Sequence, residues 1–204
     1  MRPRVSVVIP TYNRSKYLPM SVGSVMAQTA APLEILVVDD GSTDDTEAVV
    51  SRLEGPIRYV SQKNLGPAAA RNRGIQEARG ELIALLDSDD VWKPDKLERQ
   101  IAILDRNLEV GMVHTAATLI DENGEPTGET WGRRDYVGRI QPKLLVANGV
   151  NASSVLVRRR LLEAVGGYDE RFTSLENWDL WILSLIHISE PTRLRRISYA
   201  VFCL

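Results

Sequence analysis

The chain has 204 residues, and its 25 basic and 27 acidic side chains give a slightly negative balance that argues against a nucleic-acid-binding protein. One cysteine and two histidines exclude a disulfide framework and leave little material for a zinc site. Because the sequence contains no apolar run of about 18 residues and no signal peptide at its start, we expect a cytoplasmic protein without a membrane span, either free or associated with the inner face of the membrane.

Short β-branched runs alternate with helical segments through roughly the first ninety residues, a pattern typical of parallel strands joined by helices. Three of these runs are almost continuously apolar, which indicates strands buried on both faces of a sheet. The sequence therefore predicts an α/β fold with a mostly parallel, doubly wound sheet flanked by helices. The predicted strands are 5–9, 34–38, 57–61 and 82–86, and the predicted helices between them are 17–28, 44–53 and 67–78.

The pattern changes in the second half of the chain. Apolar spacing predicts a helix over 94–107, and the apolar run that follows predicts a strand over 110–120, which leads into a turn at Asn123-Gly124. We interpret His114 in that run as a buried histidine on a strand. A polar stretch around Trp131 and Arg133-Arg134 predicts a mobile loop. A strand over 153–157 and a helix over 158–167, ended by glycines, complete the predicted elements.

The last segment, residues 183–204, differs in character from the rest of the chain. Its sequence, LSLIHISEPTRLRRISYAVFCL, resembles the in-frame translation of a transposase-based sequencing-library adapter, and a natural amphipathic C-terminus is the alternative. We therefore predict one domain over residues 1–182, truncated at its C-terminal end, followed by an artefactual tail. Without the tail the chain has no cysteine, 22 basic and 26 acidic residues, and a formal net charge of about −4.

Three polar motifs follow three of the predicted strands: PTYNR at 10–14, DDGSTD at 39–44 and DSDD at 87–90. Because the carboxyl ends of parallel strands share one edge of a sheet, we expect the three motifs to lie side by side. Mg²⁺ and Mn²⁺ prefer carboxylate oxygens and keep coordination positions open for phosphate oxygens and water. The pattern thus favours a divalent-metal site that also holds a diphosphate.

Each motif also has a purely structural interpretation. The acidic residues at 87–90 can cap the following helix and face water, and Asp39 and Asp40 can be turn residues before a glycine. In the functional interpretation these two carboxylates accept hydrogen bonds from a base or a ribose, and Tyr12 flanks the base. Arg71 and Arg73, which are ordinary surface arginines in the structural interpretation, can instead approach the diphosphate through their guanidinium groups.

Five ordered motifs together resemble the family 2 glycosyltransferases, which are inverting enzymes of the GT-A fold: VSVVIPTYNR, EILVVDDGSTDDT, GPAAARNRGI, LIALLDSDD and GGYDERF with ENWDLW. The resemblance runs from about Val5 to Trp181. It implies metal-dependent transfer of a sugar from a nucleotide-diphospho-sugar, most often a UDP-sugar, to a hydroxyl of a glycan or lipid-linked acceptor. It also implies inversion at the transferred carbon and a place in polysaccharide, glycolipid or cell-surface glycan synthesis.

The motifs and the resemblance together define the candidate site. Pro10, Thr11, Tyr12 and Asp40 are implied around the nucleoside, and Asp87 and Asp89 are implied as metal ligands, with Asp90 as a further ligand. The donor-binding candidates are Pro10, Thr11, Tyr12, Asn13, Asp39, Asp40, Arg71, Arg73, Asp87 and Ser88, and the candidate ligands of Mn²⁺ or Mg²⁺ are Asp87, Asp89 and Asp90.

The general base departs from the family pattern. The family takes it from a Glu-Asp pair at a helix start in the last third of the domain, and the matching residues here are Glu176 and Asn177. Because an amide cannot accept the proton of the acceptor hydroxyl, we predict Glu176 or Asp179 as the catalytic base and favour Glu176. The alternative is a helix N-terminus whose acids suit the helix dipole and whose Trp178 and Trp181 belong to the core.

Two other functions fit parts of the pattern. A sugar-1-phosphate nucleotidylyltransferase also combines a nucleotide, a metal and a doubly wound sheet, but it would need a glycine-rich basic loop after the first strand, and IPTYNR has no glycine. A nucleotide-sugar-binding module without turnover is the second alternative, and Asn177 favours it. Product formation distinguishes this module from the enzyme.

Overall fold

The first four strands form the centre of the sheet. The structure, a computed structural model, describes residues 4–121, 124–132, 141–189 and 201–203. The first four strands pair in parallel, in the spatial order third, second, first, fourth. These strands are β1 (Val5–Thr11), β2 (Glu34–Asp39), β3 (Ile57–Ser61) and β4 (Leu82–Leu85).

Three shorter strands extend the sheet beyond β4. The strand β8 (Leu156–Arg158) runs antiparallel to β4 and to β5 (Met112–His114), and β9 (Val201–Cys203) pairs with β5. A separate hairpin is formed by β6 (Ala117–Ile120) and β7 (Pro126–Trp131). The predicted α/β fold with a mostly parallel sheet is confirmed.

Helices cover both faces of the sheet. The helices α1 (Leu18–Met26), α2 (Thr46–Val50) and α4 (Lys96–Arg106) pack on one face. The other face is covered by α3 (Pro67–Glu77), α5 (Gln141–Leu144), α6 (Arg159–Val165) and α7 (Glu176–Ser189). No helix within the described ranges is both long enough and apolar enough to cross a membrane.

The continuous apolar character of β1 follows from this double cover. Val7 and Ile9 contribute to the core under α1 and α4, whereas Val8 contributes to the core under α3. Gly74 lets α3 lie directly on β1, because a Cβ atom at this position would be 2.2 Å from Cγ1 of Val8. Both faces of the central strand are therefore dry, as expected for a doubly wound sheet.

The strand register brings the predicted motifs to one edge. Thr11 at the end of β1 pairs with Asp39 at the end of β2, and Asp39 pairs with Ser61 at the end of β3. On the other side of β1, Val8 pairs with Leu85 at the end of β4. The residues that follow β1, β2 and β4 therefore lie at the same edge of the sheet.

Two predictions for residues 110–132 were wrong in detail. The segment predicted as one strand over 110–120 forms two, β5 in the main sheet and β6 in the hairpin, although His114 is buried on β5 as interpreted. Part of the stretch predicted as a loop around Trp131 is the strand β7, which is exposed along its whole length and so lacks the apolar alternation that signals a strand. Arg133, Arg134 and Asn123 lie outside the described residues.

The strand predicted over 153–157 begins later than expected. Asn151 accepts a hydrogen bond from the backbone N–H of Ser153 at 2.8 Å, and this side-chain cap holds residues 152–154 in a 3₁₀ turn before β8. The glycine stop after α6 is correct, because Gly166 adopts a left-handed conformation with φ of 81°. The helix α7 passes through the boundary predicted at Ile182 and ends at Ser189.

Candidate active site

Two buried carboxylates organise the loops after β2 and β3. Asp39 accepts hydrogen bonds from the backbone N–H of Ser42 at 2.8 Å and from the hydroxyl of Tyr59. Burial and the neighbouring Asp39 carboxylate raise the pKa of Tyr59 well above its usual range, which keeps the phenol protonated as a donor. Asp39 therefore has a structural role at this edge whether or not it also contacts a ligand.

Asp40 holds the loop that leads into α3. Its carboxylate accepts hydrogen bonds from the side-chain amide of Gln62 at 2.7 Å and from the backbone N–H groups of Leu65 and Gly66 at 2.9 and 2.8 Å. Asp40 is only 4% exposed, so a buried anion is satisfied here mainly by backbone donors. A nucleoside that binds Asp40 would have to donate a hydrogen bond to a carboxylate lone pair that these three hydrogen bonds do not use.

The motif after β1 is tied to the motif after β2. Asn13, with a φ of 52°, accepts hydrogen bonds through its side-chain oxygen from the backbone N–H groups of Thr43 and Asp44, at 2.8 and 3.3 Å. Its own backbone N–H donates to the hydroxyl of Ser42 at 2.9 Å. This contact fixes the turn that carries Tyr12, whose side chain is 46% exposed beside the edge, while the neighbouring strand residues are buried.

The acidic residues after β4 have three different environments. Asp87 donates its backbone N–H to the hydroxyl of Ser153 at 3.0 Å, and its side chain is one-third exposed. Asp89 is half exposed, and its nearest cation among the described residues is Arg14, at 3.7 Å. Burial raises the pKa of Asp90, and the adjacent Asp87 and Asp89 carboxylates raise it further, which is the electrostatic signature of acids crowded together. We call residues 87–90 the acidic edge.

The donor set of the acidic edge suits a hard divalent cation, although it does not form a closed cage. Among the residues that the structure describes, no three acidic, histidine or cysteine side chains converge as a preformed metal site. Two carboxylates are nevertheless enough for Mg²⁺ or Mn²⁺ when substrate phosphates and water complete the shell. Ser88 is buried between the acids, and its carbonyl accepts a hydrogen bond from Ser21 on α1 at 2.7 Å.

Arg71 joins the acidic edge to the start of α7. Its guanidinium donates to Asp87 at 2.7 Å and to Glu176 at 2.8 Å, and its side chain is 6% exposed. Burial alone lowers the pKa of Arg71, but the nearby anions raise it more, so the net shift is upward. The guanidinium also stacks over the ring of Tyr168 at 5.6 Å.

Arg71 and Arg73 are therefore placed very differently. Arg71 was expected to approach a diphosphate, but its guanidinium is committed to two carboxylates inside the protein. Arg73, the other arginine of the same motif, is half exposed on α3 and forms an ion pair with Glu77 at 2.9 Å, away from the acidic edge. The structure brings Arg71 to the candidate site and leaves Arg73 on the surface.

Glu176 is positioned by a network that includes Asn177. The same oxygen of Glu176, Oε1, accepts hydrogen bonds from Arg71 and from the side-chain amide of Asn177, the latter at 2.9 Å. Asn177 in turn accepts from the hydroxyl of Tyr168 at 2.9 Å. Within the described residues both of these hydrogen bonds reach Oε1 and none reaches Oε2, and the residue as a whole is 8% exposed.

Asp179 has a different environment one turn further along α7. Burial raises its pKa, with a further contribution from the negative charge of Asp169. Asp169 is itself paired with Arg171. Arg71 connects Glu176 to the acidic edge but makes no hydrogen bond to Asp179 among the described residues, so the two candidate bases differ in their connection to the rest of the site.

A cleft opens beside the acidic edge, and we call it the α4 cleft. It has a volume of about 1010 Å³ and lies between the acidic edge, the start of α4 and the β6–β7 hairpin. Its lining combines acids and bases with several neutral hydroxyl and amide side chains. Its lining includes Asp89, Lys93, Asp95, Lys96, Thr115, Thr118 and Asn151.

Lys96 in this cleft has no counterpart among the residues singled out from the sequence. Its ammonium group lies 3.9 Å from the centre of the Trp92 ring and donates to the side-chain oxygen of Gln100 at 2.9 Å. Trp92 donates to the carbonyl of Ser153, the residue that also holds Asp87. The sequence did contain a signal for Lys96. Lys96 and Gln100 are one helical turn apart and next to the apolar residues of α4, so both are predicted on the buried face, where charged side chains are unusual.

Comparison with known proteins places the chain among relatives of one kind. Residues 6–166 match the family model described as glycosyl transferase family 2. A protein of Rickettsia felis named as an uncharacterized glycosyltransferase is 37% identical over 181 residues, which cover 88% of this chain and 30% of that protein. The chain spans between 26% and 64% of the length of the curated relatives that it resembles.

Solved structures share the fold. TarS 1-349 of S. aureus, known also in complex with UDP and with UDP-GlcNAc, gives a TM-score of 0.75 at 22% identity, covering 98% of this chain and 58% of that one. The mannosyltransferase PcManGT from Pyrobaculum calidifontis, solved with GDP-Man and Mn²⁺, gives a TM-score of 0.70 at 20% identity, covering 100% of this chain and 55% of that one.

Proposed function

The chain belongs to glycosyl transferase family 2, and on that premise we propose that it binds a nucleotide-diphospho-sugar at the carboxyl edge of its sheet and transfers the sugar, with inversion, to an acceptor hydroxyl. One observation carries this proposal. The acidic edge and the candidate base Glu176 are joined through the single buried side chain of Arg71. One guanidinium thus contacts both a proposed metal ligand and the proposed base. Because this fixes the two groups relative to each other, the arrangement suits group transfer rather than binding alone.

The nucleoside is proposed to bind at the exposed ring of Tyr12, above the turn that Asn13 fixes. The diphosphate would lie at the acidic edge. Asp87, Asp89 and Asp90 are the proposed ligands of Mn²⁺ or Mg²⁺, an ion that when bound stabilises the negative charge of the departing nucleoside diphosphate. The complexes of TarS with UDP and of PcManGT with GDP-Man and Mn²⁺ support a nucleotide donor, and a UDP-sugar remains the prediction.

Glu176 is the proposed base because one of its oxygens is held by two hydrogen bonds and the other accepts none within the described residues. Arg71 and Asn177 fix Oε1 and so orient the carboxylate at the start of α7. Oε2 can then accept the proton of the acceptor hydroxyl as that hydroxyl attacks the sugar from the face opposite the leaving diphosphate. In this arrangement Asn177 serves as a positioning residue, and the proton is accepted by its neighbour.

The change of Glu176 to Gln is expected to lower kcat by about 10²- to 10⁴-fold, because general base catalysis typically contributes that much. Nucleotide affinity should stay within about twofold of the wild-type value. Asp179→Asn is the matched control on the same helix, and its kcat should fall by less than about tenfold. Release of nucleoside diphosphate from the donor, with the acceptor or water as nucleophile, measures both. A larger loss in Asp179→Asn would transfer the role of base to that residue.

A nucleotide-sugar-binding module without turnover is the second candidate, and Asn177 at the usual position of the base favours it. Donor binding without release of nucleoside diphosphate, by the intact gene product across many acceptors, would support the module. The acceptor, whether glycan or lipid-linked, remains a prediction from the family resemblance. A cytoplasmic location, either free or at the inner face of the membrane, remains a prediction from the sequence.

We also propose that residues 183–204 take no part in donor binding. None of the described residues in this segment lines the α4 cleft or contacts the acidic edge through a hydrogen bond. Deleting 183–204 is therefore expected to leave nucleotide affinity unchanged within about twofold, as titration of both chains would show. A clear loss of affinity would show that the segment is an authentic part of the protein.

A further inference from the structure

The ammonium group of Lys96 is buried without a carboxylate partner. The residue is 7% exposed, and among the described residues the side-chain oxygen of Gln100 is the only hydrogen-bond acceptor for its three N–H donors. No described carboxylate lies within ion-pair distance. Burial disfavours the charged form and lowers the pKa of Lys96 to about 7, whereas the Trp92 ring at 3.9 Å offers the ammonium a cation–π contact.

The position of Lys96 on its helix further disfavours the charged form of its amine. It is the first residue of α4, where the helix dipole is positive and favours anions over cations. A bound anion would relieve both unfavourable conditions, because it would pair with the ammonium and lie at the positive end of the helix. A buried amine that lacks a carboxylate partner and lies beside an open cleft is a candidate ligand contact.

Part of the lining of the α4 cleft suits a polyhydroxylated ligand, although five aspartates also line it. Hydroxyl and amide side chains, among them Thr115, Thr118 and Asn151, face the same cleft as Lys96. A volume of about 1010 Å³ is at the upper end of the range for small-molecule sites and can accommodate more than one sugar ring. The cleft is continuous with the acidic edge through Asp89, which connects it to the proposed donor site.

We propose that the α4 cleft is a subsite for an anionic sugar unit of the acceptor, and that Lys96 binds the carboxylate or phosphate group of that unit. This inference rests on the proposed glycosyl transfer, since the cleft would position an acceptor beside the donor. Lys96 thereby acts as a specificity-determining residue that selects an acidic acceptor over a neutral one.

The test is an NMR titration of the full 204-residue chain with three probes, namely glucuronate, glucose 6-phosphate and glucose, in EDTA so that the acidic edge holds no cation. We expect one or both anionic sugars to bind, and glucose to bind at least about tenfold more weakly. The anion that binds more tightly identifies the group as a carboxylate or a phosphate. Equal binding of glucose and the anions, or no binding of either anion, would overturn the proposal.

Variants separate ligand binding from a structural role. Lys96→Met should weaken anion binding by about tenfold or more, whereas Lys93→Met, which removes an exposed charge from the same cleft, should change it by less than about threefold. Lys96→Arg keeps a cation and should keep part of the affinity. Because Lys96→Met removes a buried unpaired charge, its Tm should equal or exceed that of the wild type.

The opposite pattern would contradict the proposal. If Lys96→Met lowers Tm while anion affinity is unchanged, Lys96 serves only to hold Gln100 and Trp92. Titration of the same samples with UDP and GDP in Mn²⁺ tests the donor site separately. Nucleotide binding without anion binding would overturn the acceptor subsite alone, whereas loss of nucleotide binding would overturn the proposed function itself.

Discussion

Replacing Asp89 by asparagine is expected to reduce metal-dependent nucleotide binding by about 100-fold or more, to the level seen in EDTA. Of the three acids at the edge, Asp89 is the most available to an ion, because Asp87 is paired with Arg71 and Asp90 is largely buried. Its only described cationic neighbour, Arg14, is 3.7 Å away and half exposed. An asparagine retains the shape of the side chain but removes the charge that a hard cation requires.

The fold should tolerate this change. An exposed ion pair contributes about 0–1 kcal/mol, so the free energy of unfolding of Asp89→Asn should lie within about 1 kcal/mol of the wild-type value. Asp95→Asn is the matched control, because Asp95 also lines the α4 cleft and is paired at 3.6 Å with an exposed arginine, Arg99. Its nucleotide affinity should stay within about twofold. Unchanged nucleotide affinity in Asp89→Asn would remove the argument for a metal at the acidic edge.

Replacing Arg71 by methionine is expected to destabilise the protein by about 3–5 kcal/mol, the usual effect of removing one partner from a buried ion pair. The change leaves the carboxylate of Glu176, whose side chain is 10% exposed, without its cation. Arg73→Met is the matched control two positions away, since Arg73 is half exposed and Glu77 is its one ion-pair partner among the described residues. Its effect should be below about 1 kcal/mol. Urea unfolding at equilibrium measures both variants.

A double variant identifies the source of the loss. Because Glu176→Gln removes the charge that Arg71→Met leaves uncompensated, the double variant should be more stable than Arg71→Met alone. Donor turnover should nevertheless be lost in the double variant, because it lacks Glu176, the proposed base. A destabilisation below about 1 kcal/mol in Arg71→Met, or no recovery in the double variant, would show that Arg71 does not carry the link between the acidic edge and α7.

The parallel half of the fold could be predicted from sequence because its signals are local. Buried strands such as β1 and β2 appear as continuous apolar runs, and the structure extends them by one or two residues at most. The hairpin strand β7 could not be predicted in the same way, because all six of its residues are exposed and no apolar alternation marks them. The break between β5 and β6 occurs because the two strands belong to different sheets. Which sheet a strand joins depends on tertiary contacts, and the apolar pattern of the segment does not indicate it.

The candidate site was predictable where strand ends define it and unpredictable where distant segments meet. The rule that parallel strands share a carboxyl edge brings 10–14, 39–44 and 87–90 together without any knowledge of tertiary contacts. The contact between Arg71 and Glu176 joins residues 105 positions apart, and no spacing in the sequence indicates it. The different positions of Arg71 and Arg73 depend on the orientation of α3 over the sheet, which the short polar motif does not specify.

The central claim, that the acidic edge binds a nucleotide through a divalent cation, is tested most directly by isothermal titration of the folded chain. UDP, GDP, CMP and dTDP are titrated separately in Mn²⁺ and in EDTA, after circular dichroism has confirmed the fold. We expect one nucleoside diphosphate, with UDP favoured, to bind in Mn²⁺ and to lose most of its affinity in EDTA. If the folded protein binds none of the four in Mn²⁺, the acids at 87–90 are solvated capping residues and the proposed donor site does not exist.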